Sequence, residues 1–310
     1  MINFKRLSKK RANVKRFTGL GYDKFMDLVT KITPLWQESE QERLQRKNRK
    51  RAIGGGRKYK LETIEDKLLL FLTYYRVYVC YEFLAQLFEI DASNISRLIK
   101  KMTPLIEFAA DPSLKTALKK VRDESTKINS MEEFTKKYPD MVKVIFDATE
   151  QRIQRPKKDN QTRKKYRSGK KKAFTIKTQI IINKKHKIIN VSDSFAGSVH
   201  DKKIFDLSNT QNKIPKQSVG MGDLGYLGTN TENLNLKIIL PVKKQKGQKK
   251  LLSRDSMFNK KLAQSRVPVE HVFAKIKKFK ICGEIYRGLK QNYNQTFRNI
   301  AALVNFGMVT

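Results

Sequence analysis

Val142-Lys143-Val144-Ile145-Phe146-Asp147-Ala148-Thr149-Glu150 is the stretch on which the fold turns. Residues 142–146 form a β-rich run that ends at an acid, Asp147. Upstream the apolar residues follow a helical period, and downstream the pattern changes to strands. Residues 173–182 and 187–191 predict two strands joined by a turn at Asn183-Lys184-Lys185. Residues 218–222 lead into a second acid, Asp223; residues 237–242 are a further apolar run, and residues 264–280 predict a helix. Strands followed by helices in this order predict a mixed layer, α+β or α/β, behind an all-helical N-terminal part.

Outward from this core, residues 1–60 are basic, with one amphipathic stretch at 22–35 and a joint at Gly54-Gly55-Gly56. Residues 61–108 carry helical periodicity, and residues 109–140 are polar and charged, a connector with short helices. Within the helical part, residues 81–100 have the spacing of a helix-turn-helix, with apolar positions at Leu84, Phe88, Ile90, Ile95 and Leu98. The small Ala85 falls where two helices must approach, and residues 91–94 supply turn and N-cap chemistry. A second helix over 93–102 would present Asn94, Ser96, Arg97 and Lys101, side chains suited to base edges and phosphates in a major groove. Glu89 departs from the pattern, because a glycine usually makes this turn. The same spacing fits an ordinary helical hairpin, and the charge of the chain decides between them.

That charge is extreme. Lys and Arg number 67 against 29 Asp and Glu, a formal net charge of +38. So large an excess opposes a compact fold through self-repulsion unless a polyanion offsets it. Nucleic acid is that polyanion, since each neutralised phosphate releases condensed cations and adds affinity. A membrane is a weaker candidate: no apolar run reaches the roughly 18 residues of a spanning helix, and residues 1–16 lack the apolar stretch of a signal peptide. Cys80 and Cys282 are too few for a disulfide framework, which suits a reducing cytoplasm.

Three acids stand out by context. Asp147 closes one β run, Asp223 closes another in Gly222-Asp223-Leu224-Gly225-Tyr226, and Glu270 lies near the start of a helix in Arg266-Val267-Pro268-Val269-Glu270. A carboxylate at a strand end projects from the sheet edge, where ligands bind in α/β folds. Hard Mg²⁺ takes a few carboxylates plus water and phosphate oxygens, and two such ions can clamp an in-line phosphoryl displacement. In so basic a chain, gathered acids would repel an anionic substrate, and a metal removes the conflict. Arg266, four residues before Glu270, and Lys277, seven after, share its helix face. Pro268 favours a first helical turn, which would put Arg266 just ahead of the helix.

Other residues compete for roles. His200 could orient a water, contact a phosphate or cap the following helix, and Asp201 could replace Asp223 as a ligand. If the strand continues, Glu150 points to the face opposite Asp147. His271 is expected at the surface and Trp36 in a core. Three widely spaced histidines make no zinc site. Residues 155–172 hold ten Lys and Arg, including Arg155, Arg163, Lys164, Lys165, Lys170, Lys171 and Lys172, against the single acid Asp159. Coming directly after Asp147, this run is expected to clamp DNA. A second basic stretch covers 243–250.

The three acids in this setting resemble the Asp-Asp-Glu (DDE) transposases, specifically the IS5-type bacterial insertion-sequence enzymes and their Harbinger-like relatives. Arg16-Phe17-Thr18-Gly19-Leu20 and the helix-turn-helix are similar to the family's DNA-binding module. Asp147-Ala148-Thr149-Glu150 with Ile153-Gln154-Arg155-Pro156 resembles its first catalytic block, and Gly222-Asp223-Leu224-Gly225-Tyr226 its second. Arg266, Glu270 and Lys277 keep the spacing of the third. Residues 166–172 resemble the basic segment before the second strand, and Gly197-Ser198-Val199-His200-Asp201 the motif before the next helix. Two departures are Ala263, where a tyrosine is common, and Phe174, where a histidine is. The resemblance implies a ribonuclease-H-like catalytic core over 141–310, with Asp147, Asp223 and Glu270 holding two Mg²⁺ or Mn²⁺ ions. It implies cleavage at terminal inverted repeats and attack of the 3′-hydroxyl ends on target DNA. Its spacing, 223 − 147 = 76 and 270 − 223 = 47 residues, suits one such core. Arg266, Lys277, His200 and Asp201 would support the site. The expected partner is double-stranded DNA, with no membrane, a homo-oligomer on DNA, and a cytoplasmic, nucleoid-associated location. A DNA-binding regulator that no longer cuts is the alternative; it would need the helix-turn-helix but not all three acids. An RNA-associated basic protein is disfavoured by the lack of RRM-like aromatic motifs.

Overall fold

The computed structural model describes residues 2–45, 60–157, 159–229 and 236–308, so Gly54-Gly55-Gly56 and Lys158 lie outside the described residues. The chain forms two compact units, one of Met1–Pro112, Ile276–Glu284 and Gln295–Thr310, the other of Ser113–Lys275 and Ile285–Asn294. Among the described residues no helix is long and apolar enough to cross a membrane.

The first unit is helical: α1 (Phe4–Leu7), α2 (Arg11–Thr18), α3 (Tyr22–Leu44), α4 (Ile64–Val77), α5 (Tyr81–Phe88) and α6 (Ala92–Ala110). Helix α4 opens on a side-chain cap: Thr63 accepts from the Asp66 amide, with Glu65 and Asp66 in the positive first turn. Its residues Leu68 to Leu72 and Tyr75 are fully or almost fully buried. The fully buried Asn299 reaches this core from the C-terminal part of the chain, donating to the Tyr75 hydroxyl at 3.2 Å and to the Thr103 carbonyl at 2.8 Å. Burial pushes the Tyr75 phenol up to about 12.

Helices α5 and α6 form the expected pair. Glu89 ends α5 in the left-handed region at φ 53°, a conformation costing about 1–2 kcal/mol for a residue with a Cβ. Asp91 caps α6 by accepting from the Ser93 amide at 2.8 Å. This second helix does not stop near residue 102. The buried stripe Ile95, Ile99, Met102, Ile106 and Ala109 continues at helical spacing and carries it through Pro104 to Ala110.

The second unit holds a five-stranded sheet in the order β3-β2-β1-β4-β5. Strands β1 (Lys143–Arg152), β2 (Thr175–Asn183) and β3 (Ile188–Ala196) form an antiparallel meander, while β4 (Val219–Met221) and β5 (Ile238–Ile239) add parallel strands beyond β1. The first strand therefore does not end at Asp147. Its ladder with β2 runs on to Arg152 opposite Thr175, whereas its ladder with β4 stops at Ile145 opposite Met221. Asp147 sits just past the point where one neighbour has left, still held in register opposite Ile180 by the other.

The core beneath the sheet packs Phe146 against Phe205 and Tyr226. Leu118, Ile128 and Phe134, from the segment carrying α7 (Ala117–Ser125) and α8 (Met131–Lys137), belong to the same cluster. Helix α9 (Asn160–Tyr166) interrupts the basic run, α10 (Asp201–Leu207) follows β3, and α11 (Ser253–Lys277), α12 (Lys280–Gly283) and α13 (Tyr293–Met308) complete the chain. Helix α11 begins well before residue 264, so Pro268 lies inside it and Arg266 is helical, not ahead of the helix. The added N-terminal part is largely exposed, its Met257 and Phe258 included, and only Leu262 is buried, so it carries no sustained apolar stripe to betray it.

Candidate active site

Asp147 is the centre of the site. Its Oδ1 accepts from the Ala148 amide at 2.8 Å, and its Oδ2 lies 3.4 Å from Nη2 of Arg266 on α11. Its side chain is 18% exposed. Burial pushes its carboxyl up to about 6; the Arg266 guanidinium opposes that rise, while the charges of Asp223 and Asp201 add to it.

Asp223 follows β4 and caps the 3₁₀ turn Leu224–Tyr226, accepting from the Gly225 amide at 2.9 Å. Both glycines of this motif have steric reasons. A Cβ on Gly222 would come within 2.4 Å of the Phe146 ring, and one on Gly225 within 2.9 Å of the Asp201 carboxylate and 3.0 Å of the Asp223 carboxylate. Asp201, the first residue of α10, pairs at 3.1 Å with Lys177 of β2, which also lies 3.8 Å from Glu150. Glu150 accepts from the Thr175 hydroxyl at 2.8 Å.

Asp147, Asp223, Asp201 and Arg266 thus come together. Glu270 is exposed, one helical turn beyond Arg266 on the same stripe of α11. Among the described residues, no three His, Cys, Asp or Glu side chains converge closely enough to hold a metal ion. Lys277 ends α11 and is exposed. His200 is exposed at the N-cap of α10 without a side-chain cap bond, and His271 is exposed. The chemistry of the donor set nevertheless suits a hard cation, which takes carboxylate oxygens such as those of Asp147 and Asp223, with one guanidinium alongside.

Two neighbours are not foreseeable from sequence. Lys177 stands opposite Glu150 in the β1–β2 register, a pairing visible only once the ladder is known. Tyr226 belongs to a recognisable motif, but nothing in that motif signals that its ring packs edge-on against Phe146 and Phe205.

On the first unit, Asn94 and Arg97 are exposed on α6, with Arg97 donating to Asn94 at 2.8 Å; Ser96 is half-buried. Lys101 turns the other way. It pairs with Glu40 of α3, and its Nζ lies 4.1 Å from the centre of the Trp36 ring. Burial pulls its pKa down to about 8. Trp36 is consequently half-buried under that cation, not part of a core. On the second unit, Arg155, Lys164, Lys165, Lys170, Lys171 and Lys172 are exposed, whereas Arg163 bonds the Pro156 carbonyl at 3.3 Å and Asn160 at 3.1 Å.

A mixed sheet with clustered carboxylates, accompanied by a helix-turn-helix, defines a class of DNA-processing enzymes. Residues 146–305 match the family model described as DDE superfamily endonuclease, and residues 59–112 match the helix-turn-helix of DDE superfamily endonuclease. The chain is 31% identical over 252 residues to a probable transposase for insertion sequence element IS702 of Microchaete diplosiphon, covering 81% of this chain and 83% of that protein. It is 26% identical over 269 residues to a putative transposase for insertion sequence element IS112 of Streptomyces albus G, covering 86% and 83%. No solved structure matches it. The chain belongs to the DDE superfamily endonucleases, among the transposases of insertion sequences.

Proposed function

We propose that this protein is a divalent-metal-dependent DNA transposase of the IS5 type. It binds the terminal inverted repeats of its element, hydrolyses the phosphodiester at each end and joins the 3′-hydroxyl ends to target DNA. The observation that carries the reading is the approach of Asp147 on β1 and Asp223, just past β4, beside Arg266. The strand order, an antiparallel meander extended by two parallel strands, supports a ribonuclease-H-like core.

Asp147 and Asp223 would hold Mg²⁺ or Mn²⁺, two ions per site, and Glu270 would supply the third carboxylate from the helix stripe that begins at Arg266. When bound, such ions stabilise the attacking and leaving oxygens of an in-line displacement at phosphorus. Arg266 opposes the rise that burial imposes on Asp147 and orients its carboxylate. Lys177 engages Asp201 and Glu150, leaving Asp147 and Asp223 as the acids for the ions. The exposed cations of residues 155–172 hold the DNA backbone, and Asn94, Ser96 and Arg97 of α6 face the element end. The protein works in the cytoplasm at the nucleoid, as a homo-oligomer that pairs two ends.

Purified protein with Mg²⁺ should nick DNA at the ends of its element. Asp147→Asn, Asp223→Asn and Glu270→Gln should each abolish nicking while leaving DNA binding intact. Normal cutting by any of the three removes that residue from the ligand set. A wild-type protein that binds the ends and cuts nothing is a regulator instead.

A further inference from the structure

The segment Gly197-Ser198-Val199-His200-Asp201 has no part in the chemistry assigned above, yet it joins two pieces of the second unit. At one end it meets α9, which carries Arg163, Lys164 and Lys165 of the basic run. The Lys165 carbonyl lies in the last turn of that helix, where carbonyls lack an amide of their own helix to bond. It accepts instead from Ser198, from the hydroxyl at 2.7 Å and from the amide at 3.3 Å. Gly197 lets the backbones come this close: a Cβ there would overlap the Thr175 hydroxyl and lie 3.0 Å from the Tyr166 carbonyl. At the other end, Asp201 opens α10 and pairs with Lys177 at 3.1 Å. Its carboxylate crowds the same side of Gly225 as the carboxylate of Asp223. Five residues thus run from the basic arm to the turn that carries Asp223. Ser198 is exposed, where water competes for a hydrogen bond and its net worth to the fold is small. Stability therefore leaves the double grip on Lys165 unexplained, and position explains it.

We propose that Ser198 is a positioning residue: its grip on the Lys165 carbonyl sets the basic arm of residues 159–172 in register with the acids at the sheet edge, so that a DNA backbone held by the arm presents its phosphate to them. The inference rests on the reading of the basic run as a DNA clamp. The arm is pinned a second time at its return, where the Ser168 amide donates to the Ala173 carbonyl at 2.9 Å and the Ser168 hydroxyl accepts from the Lys171 amide at 3.1 Å. Those bonds close the arm on itself; the Ser198 bonds tie it to the segment that leads into Asp201. A displacement of about 1 Å at a reacting centre can cost about 10²-fold in rate, so a contact of little weight in folding carries weight in cleavage.

The experiment compares the full chain as wild type, Ser198→Ala, Ser198→Thr and the triple variant Lys170→Ala, Lys171→Ala, Lys172→Ala. Each is measured for melting temperature, for amide hydrogen exchange over residues 160–172 without DNA, for affinity to an element-end duplex and for single-turnover cleavage of it with Mg²⁺. In Ser198→Ala the α9 amides should exchange faster and cleavage should slow by at least about 10-fold, with melting temperature and DNA affinity unchanged. Ser198→Thr keeps the hydroxyl, and its methyl group has room at an exposed position, so it should restore both exchange and rate. Wild-type exchange and a wild-type rate in Ser198→Ala overturn the proposal. So does slow cleavage accompanied by a lowered melting temperature and not restored by threonine, the mark of a general structural role. The clamp reading fails separately, and takes the proposal with it, if the triple variant binds DNA with the affinity and salt dependence of wild type.

Discussion

Burying Asp147 costs the metal-free protein stability, and the cost has a sign that can be checked. Its carboxyl titrates near 6 in the folded chain, against about 3.9 in an unfolded one. Between these values the native state binds the extra proton. The stability linked to that proton is complete below about pH 4 and is lost as pH rises to about 6. Asp147→Asn should therefore stabilise the chelated protein at pH 7–8 by about 1–3 kcal/mol, read by thermal melts across pH, even as it abolishes cleavage. A melt that is lower, or unchanged at every pH, would mean Asp147 is not strained. Gly222 offers the opposite case. A methyl there would press into the Phe146 ring at 2.4 Å, and Gly222→Ala should cost about 1–3 kcal/mol by urea denaturation.

At the scale of elements, α6 presents two kinds of cation that the sequence cannot separate. Arg97 is exposed, while Lys101 is bound to Glu40 over Trp36. Arg97→Ala should weaken binding to the element end and relax base preference by about 1–3 kcal/mol at its position. Lys101→Ala should instead lower thermal stability with little change in DNA affinity. Equal affinity losses would mean that Lys101 leaves Glu40 to meet DNA. The helix pair itself is legible because its signals are local: Ala85, the Asp91 cap and the apolar stripe. The longer reach of β1 is not, because residues 148–152 offer no alternation and only the β2 ladder extends them. The early start of α11 is hidden for a related reason, its first turns being exposed, with Met257 and Phe258 facing solvent. Trp36 does not join a core as expected, because nothing near it in sequence announces the lysine that covers it.

At the scale of the molecule, the net charge of +38 makes DNA a structural partner as well as a substrate. Duplex DNA should raise the melting temperature, and its affinity should fall steeply with salt. Replacing Lys170, Lys171 and Lys172 with alanine should reduce the slope of log K against log salt by about 0.9 for each phosphate no longer neutralised. An unchanged slope would mean that the phosphates are neutralised by other residues. Composition alone points to this partner, and the motif contexts of Asp147 and Asp223 point to the catalytic sheet. Where Glu270 stands relative to them is not legible, because the placing of a helix against a sheet is a tertiary relation that no spacing encodes.

Glu270 is the decisive member of the proposed triad, since Asp147 lies near Asp223 and Arg266 while Glu270 is exposed. A crystal structure soaked in Mn²⁺, with the ions located by their anomalous scattering, puts the triad to the test. A three-carboxylate centre predicts two peaks between the carboxylates of Asp147 and Asp223, with the Glu270 carboxylate rotated in as a ligand. Peaks elsewhere, or ions at the aspartates with Glu270 outside their coordination, would refute it.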